Sequence, residues 1–511
     1  MLKSNFLLFT LLLLALPQML RKSIKLPNNT MNRFLIVFLI TIQFLNYSCQ
    51  NNENKKDENE QLNVLFIAVD DLRLQAGIYG QSQMITPSLD KLGSEGVVFS
   101  RAYCSVPVCG ASRASLLSGL RPTPDRFVNY FTKKDIDAPD VPSLPMWFKE
   151  HGYTTLSLGK IYHHKEDDIN AWSEKPYLPQ VGIGFQSYIT EASKKIVESN
   201  KTASNPNQVI GPPFEAADVD DNGYPDGMLA DRAMEDLNRF SKTGEPFFLA
   251  LGFWKPHLPF NAPKKYWDMY NEEDMPLADN PFMPENAPKE AGHQWNELRG
   301  MYDGVPQKGP VSDELARKLI QGYYACVSYT DAQIGKVLGE LERLDLAENT
   351  VVVLWGDHGW HLGEHGLWCK HCNFDRVLNA PLMVRAPGKA SGAKTNTLVE
   401  FIDIYPTLCD LTGLKQPAHV DGKSFEPVLT DPDKKHKDAV FSRYHDGESV
   451  ITEQYVYTEW IRNGEFVSHM LYDHKNDPAE NKNVAGIPEY KETVKRMKSL
   501  LDEKNATLKN E

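Results

Sequence analysis

Short apolar runs alternate with amphipathic stretches over most of the chain after residue 62. The run Val64–Val69 has the length and β-branched content of a strand covered on both faces, and it ends abruptly at Asp70-Asp71. Further strands are predicted at 97–102, 154–158, 247–251 and 351–355, and helices at 87–95, 143–151, 228–240 and 313–344. This alternation predicts an α/β fold with a large mixed, mainly parallel sheet sandwiched by helices.

Two later parts of the chain do not follow this alternation of strands and helices. Residues 261–310 are dense in Pro, Asn and acidic residues without clear periodicity, which predicts a long surface excursion that shapes a substrate cleft. After Gly413, strands of a smaller antiparallel sheet are predicted at 440–444 and 455–461, with a closing helix at 490–504. We therefore predict a catalytic domain over residues 62–425 and a C-terminal α+β subdomain over residues 426–511.

The first 49 residues are predicted to be a signal region. Phe6–Leu16 and Phe34–Leu45 each follow a basic residue, and each is shorter than the roughly 20 residues of a membrane-spanning helix. Because two signals in series are redundant, Met31 is the expected start, and Leu45–Cys49 resembles a bacterial lipoprotein cleavage box with Cys49 as the lipidated residue. An ordinary cleaved signal peptide is the alternative. The polar residues 50–61 predict a flexible tether, so we expect the protein in the periplasm or at the cell surface, anchored by lipid.

Composition and charge narrow the classes of function. The 511 residues are 41% hydrophobic, enough for a large core, and the net charge of −13 argues against nucleic-acid binding. A polyanionic substrate would therefore need a local basic pocket. Seven cysteines are too few for a disulfide scaffold. Cys369 and Cys372 form a CxxC that fits a local disulfide, with zinc or redox chemistry as the less favoured alternative.

Acidic residues follow two of the predicted strands. Asp70-Asp71 come after the first strand, and Asp357-His358 come after the strand at 351–355. In open α/β sheets ligands bind beyond the carboxyl ends of strands, so these side chains are expected to meet. Three carboxylates a few ångströms apart repel one another unless a cation joins them, and oxygen ligands on loops favour calcium. A turn or helix cap is the alternative for any one of these Asp residues.

A second pattern predicts an anion site. Cys109-Gly110-Ala111-Ser112-Arg113 is typical of a turn that enters a helix, where unpaired N–H groups meet an anion and Arg113 adds a planar cation. By itself this pattern also fits a structural cysteine before a capped helix.

The same five residues match the signature of the type I sulfatases, which have the alkaline phosphatase-like fold. Asn63–Asp71, Gly356–Gly359, Leu471–Asp473 and Asn476–Pro478 also resemble that family. Stretches at 70–73, 159–163, 255–260, 357–360 and 363–366 are similar to the iduronate-2-sulfatase group within it.

The resemblance implies one cofactor and one modification. Cys109 would be oxidised to formylglycine by a maturation enzyme, and the modified residue would bind one calcium ion. The other implied ligands are Asp70, Asp71, Asp357 and His358. His358 stands where many sulfatases have Asn, a change that the iduronate-2-sulfatase group shares.

The resemblance also implies a set of residues around the sulfate: Arg113, Lys160, His163, His257 and Lys370. One hydroxyl of the hydrated aldehyde would attack sulfur, His257 or Lys370 would protonate the sugar oxygen, and a base such as His163 would help the second hydroxyl to expel sulfate. Arg73, next to the metal carboxylates, is expected to meet a second anion such as a uronate carboxylate. His365 is expected either to contact the substrate or to support the site.

The predicted function is hydrolysis of sulfate esters on a carbohydrate. A 2-O-sulfated uronic acid or related sugar is implied, in a polymer such as ulvan, carrageenan or a glycosaminoglycan. A phosphate or phosphonate monoester hydrolase of the same superfamily is one alternative, although Cys109 in its signature and too few ligands for two zinc ions argue against it. A catalytically inactive glycan-binding lipoprotein is the other.

Overall fold

The computed structural model of the protein describes residues 61–184, 186–202 and 209–508. The predicted signal region with Met31 and Cys49, and the tether as far as residue 60, lie outside these residues. Gln61 and the residues that follow it belong to one compact unit.

A seven-stranded sheet forms the centre of the described part of the chain. Its strands in spatial order are Ala393–Thr395, Val97–Phe99, Leu382–Arg385, Thr350–Gly356, Asn63–Val69, Phe247–Phe253 and Thr154–Gly159. The Leu382–Arg385 strand is antiparallel to both of its neighbours, and the other strand pairs run parallel. The predicted mixed, mainly parallel sheet is confirmed.

Helices cover both faces of this sheet, which explains why its central strand is apolar throughout. Leu65, Ile67 and Val69 pack into one core with the helices Pro87–Glu95, Pro225–Thr243 and Asp313–Arg343. Their neighbours Val64, Phe66 and Ala68 pack on the other face, against the helices Cys109–Ser118, Leu144–Glu150 and Ile404–Leu411. A strand whose alternate side chains both meet helices has no solvent face to carry polar residues.

The remaining helices are shorter, or lie outside these two layers. They are Lys134–Asp137, Glu191–Ser199, Lys264–Trp267, Asn296–Arg299, Asp375–Leu378, Glu426–Thr430 and Lys491–Leu508. Two-stranded pairs join Ala102–Tyr103 to Val399–Glu400, Phe214–Ala217 to Phe260–Pro263, and His361–Leu362 to Trp368–Cys369. Among the described residues, no helix combines the length and the apolar character that crossing a membrane requires.

Residues 261–310 differ from the predicted surface excursion. Phe260–Pro263 is a buried strand, and Trp267 and Leu298 are buried in the main core. The prediction of a surface excursion is wrong for these parts of the segment, which belong to the core. Single apolar anchors separated by proline turns leave no periodic signal, although each anchor is buried.

The smaller antiparallel sheet has four strands: Ala439–Tyr444, Gly447–Thr452, Tyr455–Arg462 and Glu465–Asp473. The second and the fourth of these were not predicted from the sequence. The domain boundary near residue 425 stays a prediction.

Candidate active site

The predicted acidic residues lie side by side at the carboxyl edge of the main sheet. The strands Asn63–Val69 and Thr350–Gly356 pair in parallel with Val69 opposite Gly356. The residues that follow each strand, Asp70-Asp71 and Asp357-His358, therefore emerge at the same point, and all four are fully buried. The backbone N–H of Asp71 donates a 3.0 Å hydrogen bond to Oδ1 of Asp357.

Cys109 joins this group as the first residue of the Cys109–Ser118 helix. Its Sγ lies 3.6 Å from Oδ1 of Asp71 and 3.3 Å from Nε2 of His358. We call Asp70, Asp71, Cys109, Asp357 and His358 the strand-end cluster. The thiol stands at a helix N-terminus, where unpaired N–H groups favour an anion.

The strand-end cluster offers ligand atoms suited to a metal ion. One atom each from Asp71, Cys109, Asp357 and His358 lie within 4.8 Å of one another, and Asp70 and Asp71 form an overlapping group with Cys109 and His257. Three carboxylates supply the hard oxygen atoms that calcium prefers, so the residues fit the predicted ion. Their roles as ligands stay predictions.

Arg113 orients two of these carboxylates. Its Nε donates to Oδ2 of Asp357 at 2.9 Å, and another guanidinium nitrogen donates to Oδ1 of Asp70 at 3.1 Å. The third nitrogen donates to the backbone carbonyls of Lys160 and Ile161. Since the guanidinium is fully buried and engaged, the geometry favours a role in holding the carboxylates over direct contact with sulfate.

Lys160 follows the strand Thr154–Gly159 at the same carboxyl edge of the sheet, two strands away from Asp70. Its ammonium contacts Asp70, and its backbone N–H donates to the carbonyl of Gly252 at 2.9 Å. Gly159 precedes it with φ of 76°, and a side chain there would collide with the Gly252 carbonyl. The Gly-Lys pair thus allows the chain to turn off the strand end and point the lysine inward.

Lys370 contacts Asp71 from a loop with two left-handed residues. Its Nζ lies 2.8 Å from Oδ1 and 3.0 Å from Oδ2 of Asp71. The flanking Cys369 and His371 have φ of 71° and 76°. Cys369 and Cys372 are free, buried thiols, so the disulfide considered from the sequence is not formed. Neither cysteine belongs to the possible metal-binding groups of the described residues.

His257 and His163 differ in charge. Burial would lower the pKa of His257, but Asp71 and Asp70 raise it to about 10, so this imidazole is protonated at neutral pH. Burial lowers the pKa of His163 to about 2, and its buried Nδ1 has no hydrogen-bond partner. A cationic His257 can donate a proton, whereas His163 is neutral and has a free acceptor nitrogen, but its lowered pKa makes it a weak base in this structure.

The two adjacent aspartates also differ. Burial would raise the pKa of Asp70, but the charges of Lys160, His257 and Arg113 hold it well below the usual range. Burial raises the pKa of Asp71, and His257 and Lys370 offset this only in part. Such strain among buried carboxylates is relieved when a cation is present.

Arg73 and His365 lie apart from this arrangement. The guanidinium of Arg73 is paired with Glu364 at 2.7 Å and bonded to Gln75. His365 packs on Phe374, and its Nε2 lies 2.9 Å from the carbonyl of Ala479. Their substrate contacts stay predictions, and the geometry favours supporting roles for both.

Glu297 belongs to the site but was not identified from the sequence. Its Oε1 lies 2.9 Å from Nζ of Lys370 and 3.1 Å from Nε2 of His257. Burial would raise its pKa, but Lys370 and His257 hold the pKa well below the usual range, so the residue is an anion. It lies on the short helix Asn296–Arg299 within the segment predicted to be a surface excursion, and no local pattern marked it.

Comparison with known proteins gives consistent matches. Residues 62–414 match the model of the Sulfatase family, and residues 363–507 match that of the N-sulphoglucosamine sulphohydrolase C-terminal region. The chain is 34% identical to iduronate 2-sulfatase of Mus musculus over 72% of both chains. It is 32% identical to a sulfatase of Formosa agariphila over 90% of both.

A solved structure supports the fold alone. It is a phosphonate monoester hydrolase from Silicibacter pomeroyi, with a TM-score of 0.69 at 23% identity over 88% of this chain and 96% of that one.

Proposed function

This chain belongs to the sulfatase family and is a sulfuric ester hydrolase, and from that premise we propose that it removes sulfate esters from a carbohydrate. The proposed substrate is a 2-O-sulfated uronic acid or a related sugar, in a polysaccharide such as ulvan, carrageenan or a glycosaminoglycan. The relative named iduronate 2-sulfatase supports the uronic acid.

One observation carries this proposal. The Cys109 thiol begins a helix within 3.6 Å of a strand-end carboxylate and of the His358 imidazole. Lys160, Lys370 and His257 surround the same point. A thiol that can be modified, a group of ligands for a cation and basic side chains that can bind an anion thus meet at the signature residue Cys109.

We propose that a maturation enzyme converts Cys109 to formylglycine and that the strand-end cluster binds one calcium ion. Together these two groups would supply a nucleophilic oxygen of lowered pKa and positive charge for the sulfate. The ion pairs of Arg113 with Asp70 and Asp357 would keep the ligand carboxylates oriented. Lys160 and Lys370 would balance the charge on the sulfate oxygens.

His257 and His163 would move the protons. His257 is cationic and lies beside Lys370 and Glu297, where it can donate a proton to the departing sugar oxygen. His163 has a buried, unpartnered nitrogen that would accept one once the negative charge of a bound sulfate raises its lowered pKa.

The test is an assay of wild type on defined sulfated oligosaccharides, with the matching phosphate and phosphonate esters in parallel. We expect release of sulfate from a sulfated uronide and little hydrolysis of the other esters. Preference for phosphate or phosphonate would overturn the assignment. Mass spectrometry of the peptide that contains residue 109 would show conversion to the aldehyde, and an unmodified thiol in active protein would contradict the scheme.

We also propose export to the periplasm or cell surface with lipidation at Cys49. Metabolic labelling with a fatty-acid analogue should mark the wild type and not Cys49→Ala. Equal labelling of both, or labelling of neither, would contradict the anchor.

A further inference from the structure

Glu297 lies next to the candidate site, against the two basic residues Lys370 and His257 that contact Asp71. The residue is mostly buried and extends from the Asn296–Arg299 helix toward Lys370 and His257. Its Oε1 accepts from Lys370 Nζ at 2.9 Å and faces His257 Nε2 at 3.1 Å. One carboxylate oxygen is therefore committed to the two side chains proposed to meet the oxygen that leaves sulfur.

The second oxygen of Glu297 lacks a donor. Oε2 is buried and has no hydrogen-bond partner among the described residues. Nδ1 of the neighbouring His371 is 3.9 Å from this oxygen, too far for a hydrogen bond. Burial lowers the pKa of His371 to about 3, so that imidazole is neutral and does not compensate the carboxylate.

A buried, unpartnered carboxylate oxygen limits what can bind beside it. It can only accept hydrogen bonds, so the missing group must be a donor such as a hydroxyl. A carboxylate or a second sulfate at this position would be repelled at short range. Oε1 contacts Lys370 and His257, the two residues proposed to meet the oxygen that leaves sulfur. A donor that reaches Oε2 is therefore expected on the sugar that carries this oxygen.

We propose that Glu297 determines specificity by accepting a hydrogen bond, through Oε2, from the free hydroxyl on the ring carbon next to the sulfated carbon. The inference rests on the proposed function and deepens it. It requires the acidic group of a uronide to lie away from Glu297. It also excludes sugars that carry a second sulfate at the neighbouring position.

The test compares a 2-O-sulfated methyl uronide with its deoxy analogue, which lacks only the neighbouring hydroxyl. For wild type we expect kcat/KM to fall about 10- to 100-fold on the deoxy substrate, the range for a lost hydrogen bond to a charged group. Glu297→Ala should lose a similar factor on the full substrate and should hydrolyse the two substrates nearly equally. Glu297→Gln, which keeps the shape and one acceptor oxygen, should lie between.

Glu273→Gln is the matched control. Glu273 is an exposed residue of the same long segment, and its replacement should leave both rates unchanged. A second readout uses Cys109→Ala, which binds without turnover. In that background Glu297→Ala should weaken binding of the uronide sulfate about 10- to 100-fold by calorimetry and leave binding of inorganic sulfate unchanged.

The outcomes separate the two proposals. If wild type hydrolyses the uronide sulfate but Glu297→Ala retains the full difference between the two substrates, or loses affinity for inorganic sulfate equally, the Glu297 assignment is wrong and the function stands. If wild type releases sulfate from 4-nitrophenyl sulfate but not from the uronide, both the substrate class and this assignment are wrong.

Discussion

Two buried clusters of charge in this protein differ in how completely their acids are compensated. The first is the strand-end cluster, in which a thiol, three carboxylates and an imidazole face one another. The second, which we call the clamp cluster, consists of Arg121, Glu400, Asp403, His436 and Lys437. It joins the chain just after the Cys109–Ser118 helix to the start of the four-stranded sheet.

Every carboxylate oxygen of the clamp cluster has fixed donors. Glu400 accepts from Arg121 through both oxygens, and also from Lys437 and the Phe441 N–H. Asp403 accepts from Lys437, His436 and two backbone N–H groups. Despite burial, Arg121 and Lys437 hold the pKa of Glu400 below its usual range.

The difference separates stability from function. Buried charges that are fully paired within the protein preserve its shape, and removing one partner leaves the others uncompensated. The carboxylates of the strand-end cluster are also paired, but the pKa of Asp71 stays raised, so its charge is only partly compensated and an added cation can stabilise it. Perturbed pKa values of this kind are typical of functional sites. Mutations in the strand-end cluster should therefore reduce activity more than stability, and mutations in the clamp cluster should reduce stability more than activity.

The largest effect is expected for Cys109→Ala. Turnover should fall by roughly 10⁵-fold or more, because the proposed nucleophile is lost. The free energy of unfolding should change by less than about 1 kcal/mol, since the change removes only one small buried atom. Parallel kinetics and chemical denaturation check both parts. Appreciable residual turnover in Cys109→Ala, or a large loss of its stability, would contradict the assignment of the strand-end cluster to function rather than stability.

Removal of calcium should come next. Dialysis against a chelator should reduce activity by on the order of 10³-fold, since a bound metal supplies several kcal/mol of charge stabilisation. It should also lower Tm, because binding to the native state stabilises it. Added Ca²⁺ should restore both. Full activity after chelation, with no metal detected by mass spectrometry, would contradict the metal assignment.

Asp403→Ala should destabilise the protein by about 3–5 kcal/mol, because Lys437 and His436 lose a buried partner. Values of kcat and KM measured where the variant is folded should match wild type. Asp410→Ala, an exposed position on the neighbouring helix, is the control and should be nearly neutral. A loss of activity without loss of stability would place Asp403 in the catalytic machinery instead.

The smallest effect is expected for the ion pair His474–Glu480, in which Nε2 lies 3.0 Å from Oε1. Like the pairs of the clamp cluster, its two partners both belong to the protein. Burial would lower the pKa of His474, but Glu480 raises it to about 9. Because the folded pKa is raised, this stabilisation is fully present below the unfolded value of about 6.5 and is lost as pH rises through about 9.

Wild type should therefore lose on the order of 2 kcal/mol relative to His474→Gln between pH 6.5 and pH 9. Chemical denaturation of both proteins across this pH range measures the difference in their free energy of unfolding. The contributions of the other titrating groups cancel in this difference. A difference that does not change with pH would show that the pair contributes no charge-dependent stability.

Much of the strand-end cluster could be predicted from local pattern. Val64–Val69 ends in two acids, and a parallel partner strand ends in Asp357-His358, so the common edge of the sheet brings them together. The fold class followed from the same alternation, because a strand apolar on both faces requires helices on both sides. The roles of Lys160, His257 and Lys370 came from family resemblance, since a lone lysine or histidine in a loop carries no chemical signal of its own.

Other features depended on contacts that no local window contains. Arg73 pairs with Glu364, far along the chain, while its contact with a substrate anion stays a prediction. Glu297 lies in a segment without periodicity, and it enters the site because anchors such as Leu298 bury the helix around it. The strands Gly447–Thr452 and Glu465–Asp473 were missed, since polar residues interrupt their apolar alternation.

The sequence by itself determined the alternation of the main strands and helices, the acids at two strand ends and the cysteine at a helix start. These features arise from interactions between residues that are close in the chain. Only the tertiary structure decided which cation pairs with which acid, that Cys369 and Cys372 stay apart as thiols, and that Glu297 lies against Lys370. Such pairings depend on distances between side chains remote in sequence, and these distances are set by how the helices and loops pack over the sheet.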